Sequence, residues 1–314
     1  MRRILSIDGG GIKGVFPASF LATVEESLGD RISDYFDLIV GTSTGGIIAI
    51  GLGLGLRAQE ILELYQEHAA AVFPQRRGPA LVNWFLGPKY KPSSLRTVLE
   101  EKFADRRLGE SRVRLVIPSV NLDTGQVYIY KTAHHERFEL DFRSPVVDVA
   151  MATAAAPAYF PAHLTPSGTA LIDGGVWANN PTGMGVVEAI GVLGWDKSEV
   201  DVLSLGCTTT PLNLGPRALR RMGLGYWATR VMDIFFAAQS SASMGTAYML
   251  IGHDRVYRVS PYVAPGRFRL DDVREIPALC GLGQSEARNA LPNLRLRFLT
   301  ERAQPFQPCH KLTT

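Results

Sequence analysis

Residues 38–56 read LIVGTSTGGIIAIGLGLGL and carry no charge over 19 positions. A run of that length is long enough to cross a bilayer as a helix. Six of its residues are glycine, however, three consecutive ones are Thr-Ser-Thr, and it has no Trp or Tyr for an interfacial belt. A strand and a helix buried in a globular core explain the same lack of charge, and we favour that interpretation over a membrane span.

The composition is that of a globular protein. The chain has 314 residues, of which 46% are hydrophobic and 20% charged, so it can bury a large core. Its net charge of +3 is too small to predict a nucleic acid polymer as a partner. It is compatible with an anionic membrane surface or an anionic small molecule. No Ser- or Pro-rich linker divides the chain, so we expect one domain with insertions.

Cysteine and histidine spacing predicts no metal site. The three cysteines, Cys207, Cys280 and Cys309, form no CxxC pair, and the six histidines form no HExxH motif. An odd number of unpaired cysteines suits a reducing compartment. The N-terminal MRRILSIDGGG has too short an apolar run for a secretory signal. We therefore expect a cytoplasmic protein.

Hydrophobic periodicity predicts strands that alternate with helices, which is typical of an α/β fold with a mostly parallel central sheet and helices on both faces. The predicted strands are 2–8, 35–41, 112–120, 126–131, 169–175 and 199–206, and the predicted helices are 15–28, 58–73 and 183–193. Three polar, glycine-rich clusters directly follow or end predicted strands, at 8–11, 41–43 and 173–175. In open α/β sheets, ligands and catalytic groups gather where the strands end.

The cluster at 41–45 is a GxSxG motif. In a nucleophile elbow, the serine lies on a strained turn between a strand and a helix, and the flanking glycines allow the two to approach closely. This places the hydroxyl at a helix N-terminus, where the helix dipole favours a developing negative charge. The motif alone occurs often by chance, but the apolar strand before it and the apolar helix after it match this context.

The cluster at 8–14 reads DGGGIKG, and residues 9–14 satisfy GxGxxG. A dinucleotide-binding loop would need a second strand that ends in an acid, whereas the second strand here leads into the serine motif. A Walker loop fails because Val15 follows Gly14. A plain tight turn remains one alternative, and an oxyanion hole made of glycine N–H groups is the other. Lys13 would add positive charge nearby.

The cluster at 173–175 reads Asp-Gly-Gly. Asp173 is either a turn cap or a base that accepts the proton of Ser43. Asn179 and Asn180 either orient this aspartate or cap the next helix. A Ser-His-Asp triad is the competing arrangement, but only His253 and His310 follow Asp173, and neither lies in a glycine-rich setting. We favour a Ser-Asp dyad.

Together the three clusters resemble the patatin-like phospholipase family, whose pattern is an oxyanion DGGGxxG, a GxSxG and a DG[GA] in that order. The resemblance covers about residues 1–210 and includes the alanine-rich ATAAAPAYFP at 152–161. It implies a three-layer patatin-like fold and a hydrolase of lipid acyl esters that needs no catalytic cofactor or metal. The residues that it implicates are the nucleophile Ser43, the base Asp173, the oxyanion-hole glycines Gly9, Gly10 and Gly11, and the supporting motif residues Asp8, Gly14, Gly41, Gly45, Gly174 and Gly175.

The start ILSIDGGGIKGVFPASFLATVEE and the later LDDVREIPAL at 270–279 resemble a bacterial subgroup of that family. Its members are effectors of cyclic-oligonucleotide anti-phage (CBASS) systems. The resemblance implies a cyclic di- or oligonucleotide activator, phospholipids of the inner membrane as substrate, and a homodimer or higher oligomer. It also implies a catalytic core over 1–210 and a helical, regulatory extension over 211–314 packed on the same domain. An unregulated lipase and a nucleotide receptor whose signalling dominates remain the alternatives.

Two stretches mix basic and aromatic residues. They are 75–92, QRRGPALVNWFLGPKYKP, and 216–236, PRALRRMGLGYWATRVMDIFF. Three interpretations stay open for each stretch: an interfacial segment that contacts membrane, a site for nucleotide phosphates, or a surface for a partner. For the second stretch, a core-packed helix with a solvated basic face is an equally good interpretation.

Overall fold

The computed structural model describes residues 1–74, 87–211 and 223–312, with the backbone alone at 224–226 and 228–230. Eight strands form one sheet: β1 Arg2–Ile7, β2 Leu38–Gly41, β3 Arg114–Asn121, β4 Val127–Lys131, β5 His163–Leu164, β6 Ala170–Asp173, β7 Val200–Leu205 and β8 Val256–Val259. Within the described residues, the α-helices are α1 Val15–Leu28, α2 Thr44–Gly53, α3 Ala58–Val72, α4 Pro92–Phe103, α5 Val146–Thr153, α6 Gly175–Ala178, α7 Thr182–Gly191, α8 Leu224–Ile251 and α9 Ile276–Arg297.

The strand order across the sheet is β5-β6-β3-β2-β1-β7-β8, and β4 pairs with β3 outside this path. The strands from β3 to β8 along this path are parallel, whereas β4 and β6 run antiparallel to β3, and β5 runs antiparallel to β6. Helices cover both faces, so the predicted three-layer α/β fold with a mostly parallel sheet is confirmed.

Alternation along the central strands shows why the sheet is buried on both faces. In β1, Ile4 belongs to one hydrophobic cluster and Leu5 to the other. In β2, Leu38 and Val40 face one cluster and Ile39 the other. Successive side chains of a strand point to opposite faces, so a strand that is apolar throughout must be covered twice.

The uncharged stretch 38–56 is part of this core. It forms β2 and the ten-residue helix α2, and every residue of both elements is buried. Across the described ranges, no helix is long and apolar enough to cross a membrane. The glycines of α2 allow this close packing; a Cβ at Gly46, for example, would lie 2.8 Å from the Thr153 side chain.

The segment after residue 210 contributes to the same sheet. β8 pairs in parallel with β7, and α9 packs along α1, where a Cβ at Gly283 would lie 2.6 Å from the Phe16 carbonyl oxygen. The boundary predicted at residue 210 stays a prediction. Residues 75–86 and 216–222 of the two basic and aromatic stretches lie outside the described residues.

Candidate active site

Ser43 occupies a strained turn between β2 and α2. Its backbone has φ 55° and ψ −121°, a left-handed conformation that non-glycine residues rarely adopt. The two motif glycines are required by close approach: a Cβ at Gly41 would lie 2.2 Å from the Gly45 carbonyl oxygen, and one at Gly45 would lie 2.3 Å from that of Ile7. The turn therefore has the geometry of a nucleophile elbow.

Three threonines fix this turn. The Ser43 N–H donates to the Thr153 hydroxyl at 3.0 Å, and that hydroxyl donates to the Pro118 carbonyl at 2.6 Å.

The two threonines that flank Ser43 are also bonded. The Thr42 hydroxyl donates to the Ala178 carbonyl at 2.6 Å, and Thr44 hydrogen-bonds Tyr65. Sequence reasoning missed Thr153, although it lies in the alanine-rich stretch, because no spacing rule links residue 153 to the elbow.

Asp173 reaches the elbow by a route that the sequence did not predict. Its strand β6 is antiparallel to β3, and Asp173 pairs with Ser119 near the end of β3. β3 is long enough to extend past its three-residue pairing with β2, and β6 uses that extension. Asp173 therefore ends a strand, as predicted, but this strand is one of the antiparallel ones of the mostly parallel sheet.

The Asp173 carboxylate is buried and accepts a hydrogen bond from the Gly175 N–H at 2.6 Å, and it lies close enough to the Ser43 hydroxyl to interact with it. Burial raises the pKa of Asp173 to about 6, and the nearby Ser43 hydroxyl and Gly175 N–H counteract part of that rise. A carboxylate with this pKa is mostly ionised at pH 7 and is a stronger base than an exposed aspartate. Gly174 lets this turn lie against β3, because a Cβ there would be 2.3 Å from the Pro118 carbonyl oxygen.

The glycine loop lies beside Ser43. A Cβ at Gly9 would lie 3.3 Å from the Ser43 Cβ, and Gly11 has φ 55°. The Gly9 N–H donates to the Asn179 carbonyl at 2.9 Å, which differs from the prediction that all three glycines offer free donors. Among the described residues, the N–H groups of Gly10 and Gly11 donate to no carbonyl. Gly14 allows the start of α1 to contact the elbow at Thr44.

An ion pair anchors the start of the glycine loop to strand β8. Arg258 on β8 forms two hydrogen bonds with the buried Asp8 carboxylate, one of them at 2.8 Å, and a third with Ser204. Burial alone would lower the pKa of Arg258, but the charge of Asp8 and its hydrogen bonds raise it. Sequence reasoning missed Arg258, because 250 residues separate it from its partner.

The two asparagines and the two histidines considered in the sequence analysis do not contact the Asp173 carboxylate through hydrogen bonds among the described residues. Asn179 donates to the Gly9 carbonyl at 3.3 Å and Asn180 to Ser240 at 3.0 Å. His253 stacks on Tyr248, and His310 hydrogen-bonds the Glu136 carbonyl. Over the described ranges, no histidine hydrogen-bonds Ser43 or Asp173, and no group of three metal-binding side chains occurs.

Comparison with known proteins adds independent findings. A sequence model of the family described as "Patatin-like phospholipase" matches residues 5–185. A protein of Pseudomonas aeruginosa named "cGAMP-activated phospholipase" is 38% identical over 241 residues, which are 76% of this chain and 72% of that protein. A Vibrio cholerae protein of the same name is 33% identical over 271 residues, 79% of this chain and 76% of that protein. The solved structure of VipD from Legionella pneumophila has a TM-score of 0.47 at 12% identity and covers 93% of this chain and 67% of VipD.

Proposed function

This chain belongs to the patatin-like phospholipase family and is a hydrolase of carboxylic esters, and we propose that Ser43 and Asp173 are its catalytic pair. The observation that carries the proposal is the placement of the Ser43 side chain, on a strained elbow, beside the buried Asp173 carboxylate. A hydroxyl held against a carboxylate of raised pKa is the arrangement that nucleophilic attack requires.

In the proposed reaction, the Ser43 oxygen attacks the ester carbonyl carbon while Asp173 accepts the hydroxyl proton. The oxyanion of the tetrahedral intermediate is stabilised by the N–H groups of Gly10 and Gly11. Collapse breaks the ester C–O bond, and Asp173 returns its proton to the departing lysolipid alcohol. Asp173 then takes a proton from a water molecule that attacks the acyl-enzyme carbonyl carbon. The bond from this carbon to the Ser43 oxygen breaks, Asp173 gives its proton to that oxygen, and the fatty acid leaves.

The substrate class that we propose is the phospholipid of the inner membrane, on which the enzyme acts peripherally. Two relatives at 33% and 38% identity are named phospholipases, which supports this choice. Ser43 and Asp173 are both buried, so the ester must leave the bilayer plane to reach them.

We further propose that a cyclic di- or oligonucleotide activates the enzyme, as in antiviral defence, and that residues 211–314 take part in that regulation. The support is the name of both relatives, "cGAMP-activated phospholipase", over more than three quarters of this chain. Assembly into a homodimer or higher oligomer stays a prediction.

The test is fatty acid release from phospholipid vesicles with and without a panel of cyclic di- and trinucleotides. Wild-type protein should release fatty acid in response to one nucleotide, and Ser43→Ala should not. Equal release in every condition would indicate an unregulated lipase instead. Equal release by wild type and Ser43→Ala would reject Ser43 as nucleophile.

A further inference from the structure

Helix α8 is longer than the sheet against which it packs. Its C-terminal half belongs to the core through Ala247 and Ile251, with Met244 and Tyr248 beside them. It precedes β8, whose parallel pairing with β7 places the helix C-terminus at the amino edge of the sheet. Helix α8 therefore runs from the carboxyl edge, where the active site lies, down to the amino edge.

Gln239 is the residue of α8 that contacts the active-site segment after Asp173. Its side chain donates to the Val176 carbonyl at 2.6 Å and accepts from the Asn179 N–H at 3.4 Å. Both partners lie in the turn that follows Asp173. At 1.5 Å per residue, the helical residues before Gln239 span about 20 Å on the carboxyl-edge side of this point.

Several of the described apolar side chains of this projecting half, which spans residues 224–238, are exposed. Val231, Met232 and Phe235 are 45%, 51% and 43% exposed, and Trp227 is 39% exposed. Val231, Met232 and Phe235 belong to neither hydrophobic cluster of the described residues. A helix with this apolar content is normally buried, and a contiguous exposed apolar surface marks an interaction site.

The exposed segment adjoins the active site through the short helix α6. Trp177 follows Asp173 by four positions, lies on the short helix α6 that α8 contacts, and is 39% exposed. Asp233 is the one charged residue of the projecting half whose side chain is described. Burial and the charge of Asp271 raise the pKa of Tyr159, and the charge of Asp233 adds to this rise. Asp233 therefore lies on the side of the helix toward the segment that precedes β5.

We propose that Val231, Met232 and Phe235 of the projecting half of α8 seat the enzyme on a phospholipid bilayer surface, with its catalytic edge facing the lipid. The inference rests on the proposed function, because a lipid ester must enter at this edge. Side chains of this kind gain free energy when they leave water for the acyl boundary, and the helix need not cross the bilayer. A second copy of this chain would also cover an apolar face, and we choose the bilayer because the face adjoins the edge at which a lipid ester must enter.

The experiment measures flotation with vesicles of phosphatidylethanolamine and phosphatidylglycerol, with and without cGAMP, on Ser43→Ala protein so that the lipid stays intact. Met232→Gln/Phe235→Gln is compared with Met249→Gln/Leu296→Gln. Met249 and Leu296 are 83% and 77% exposed and lie toward the amino edge of the sheet. We expect the first pair to weaken vesicle partition at least about tenfold and the second pair to change it less than twofold.

The thermal midpoint of each variant shows whether it is folded, because exposed substitutions rarely change stability. No flotation of the parent in either condition, equal weakening by both pairs, or no weakening by the first pair would overturn the proposal. A further contradicting result would be a Met232→Gln/Phe235→Gln variant that sediments as a smaller assembly than its parent but floats with vesicles equally well. The face would then join two copies of the chain. Hydrolysis of a dispersed short-chain ester by the wild type tests the proposed function separately, since flotation does not depend on turnover.

Discussion

The backbone N–H of Ser43 donates a hydrogen bond to the side-chain hydroxyl of Thr153, 3.0 Å away, and the same hydroxyl donates onward to the Pro118 carbonyl. Ser43 has a strained left-handed backbone, so its N–H points where no regular helix or sheet partner exists. Thr153 therefore links the elbow to β3, the strand with which Asp173 pairs.

Replacing this hydroxyl should loosen the elbow. Thr153→Val keeps the shape of the side chain but leaves the Ser43 N–H buried without an acceptor, which costs about 1–3 kcal/mol. We expect a lower free energy of unfolding and at least a tenfold lower kcat with little change in KM. Thr153→Ser restores the hydroxyl and should recover most of kcat. Equal kcat for the Val and Ser variants would show that the hydroxyl has no positioning role.

The base predicts a pH dependence. The pKa of Asp173 is raised by burial to about 6, so activity should fall as pH drops through about 6 and reach a plateau above pH 7. Asp173→Asn should lower kcat by about 100- to 10,000-fold and abolish this dependence. The rate profile from pH 5 to 9 on a soluble ester checks both. A wild-type rate that is constant between pH 5 and 7 would contradict the role of Asp173.

The same raised pKa predicts that Asp173 lowers stability at neutral pH. Between its ordinary value of 3.8 and about 6, the folded protein binds a proton that the unfolded chain does not. The stability contributed by this proton is therefore lost as pH rises through that window. Asp173→Asn, which carries no charge, should raise the free energy of unfolding at pH 8 by about 1–3 kcal/mol and change it little at pH 4. Denaturant titrations at the two pH values measure this difference.

The glycine loop predicts a pair of contrasting substitutions. Gly11 has a left-handed backbone, and a Cβ there would lie 2.3 Å from the Leu270 carbonyl oxygen. Gly11→Ala must therefore shift the loop and its N–H groups, and we expect about a 100-fold loss of kcat. Gly191→Ala, at the end of α7 with no atom within 4 Å, is the matched control and should leave kcat unchanged. A normal kcat for Gly11→Ala would rule out the Gly10–Gly11 oxyanion hole.

The ion pair behind that loop should be needed for stability. Arg258→Met leaves the Asp8 carboxylate buried without its partner, which costs about 3–5 kcal/mol. Removing the charge as well, in Asp8→Asn/Arg258→Met, should recover a large part of that loss. Chemical denaturation of both variants measures the difference. If the double variant is no more stable than Arg258→Met, the loss does not come from an uncompensated charge.

Much of the fold follows from local pattern. The helix predicted at 15–28 is α1 as observed, because its apolar spacing and the αL glycine at Gly29 mark its length and end. The strands predicted at 2–8 and 199–206 are β1 and β7, and they are buried along nearly their whole length, as expected for strands covered on both faces. Each of the three motif clusters directly follows or ends its own strand, and this placement can be predicted from the local sequence.

What could not be predicted depends on pairing over long distances. The direction of β6 is set by the extension of β3, and no residue of β6 encodes it. The Gly9 N–H is taken by Asn179, and Ile12 donates to Leu270, partners that are 170 and more than 250 residues away. Strand β8, and with it Arg258, was missed because a four-residue strand carries too weak a pattern.

The most direct test of the account is covalent labelling with a long-chain fluorophosphonate, followed by peptide mass spectrometry, in the presence of the nucleotide that gives the highest turnover. The account predicts one adduct, on Ser43, that forms much more slowly in Asp173→Asn and not at all in Ser43→Ala. An adduct on another residue, or labelling of Ser43 at an equal rate in Asp173→Asn, would contradict it.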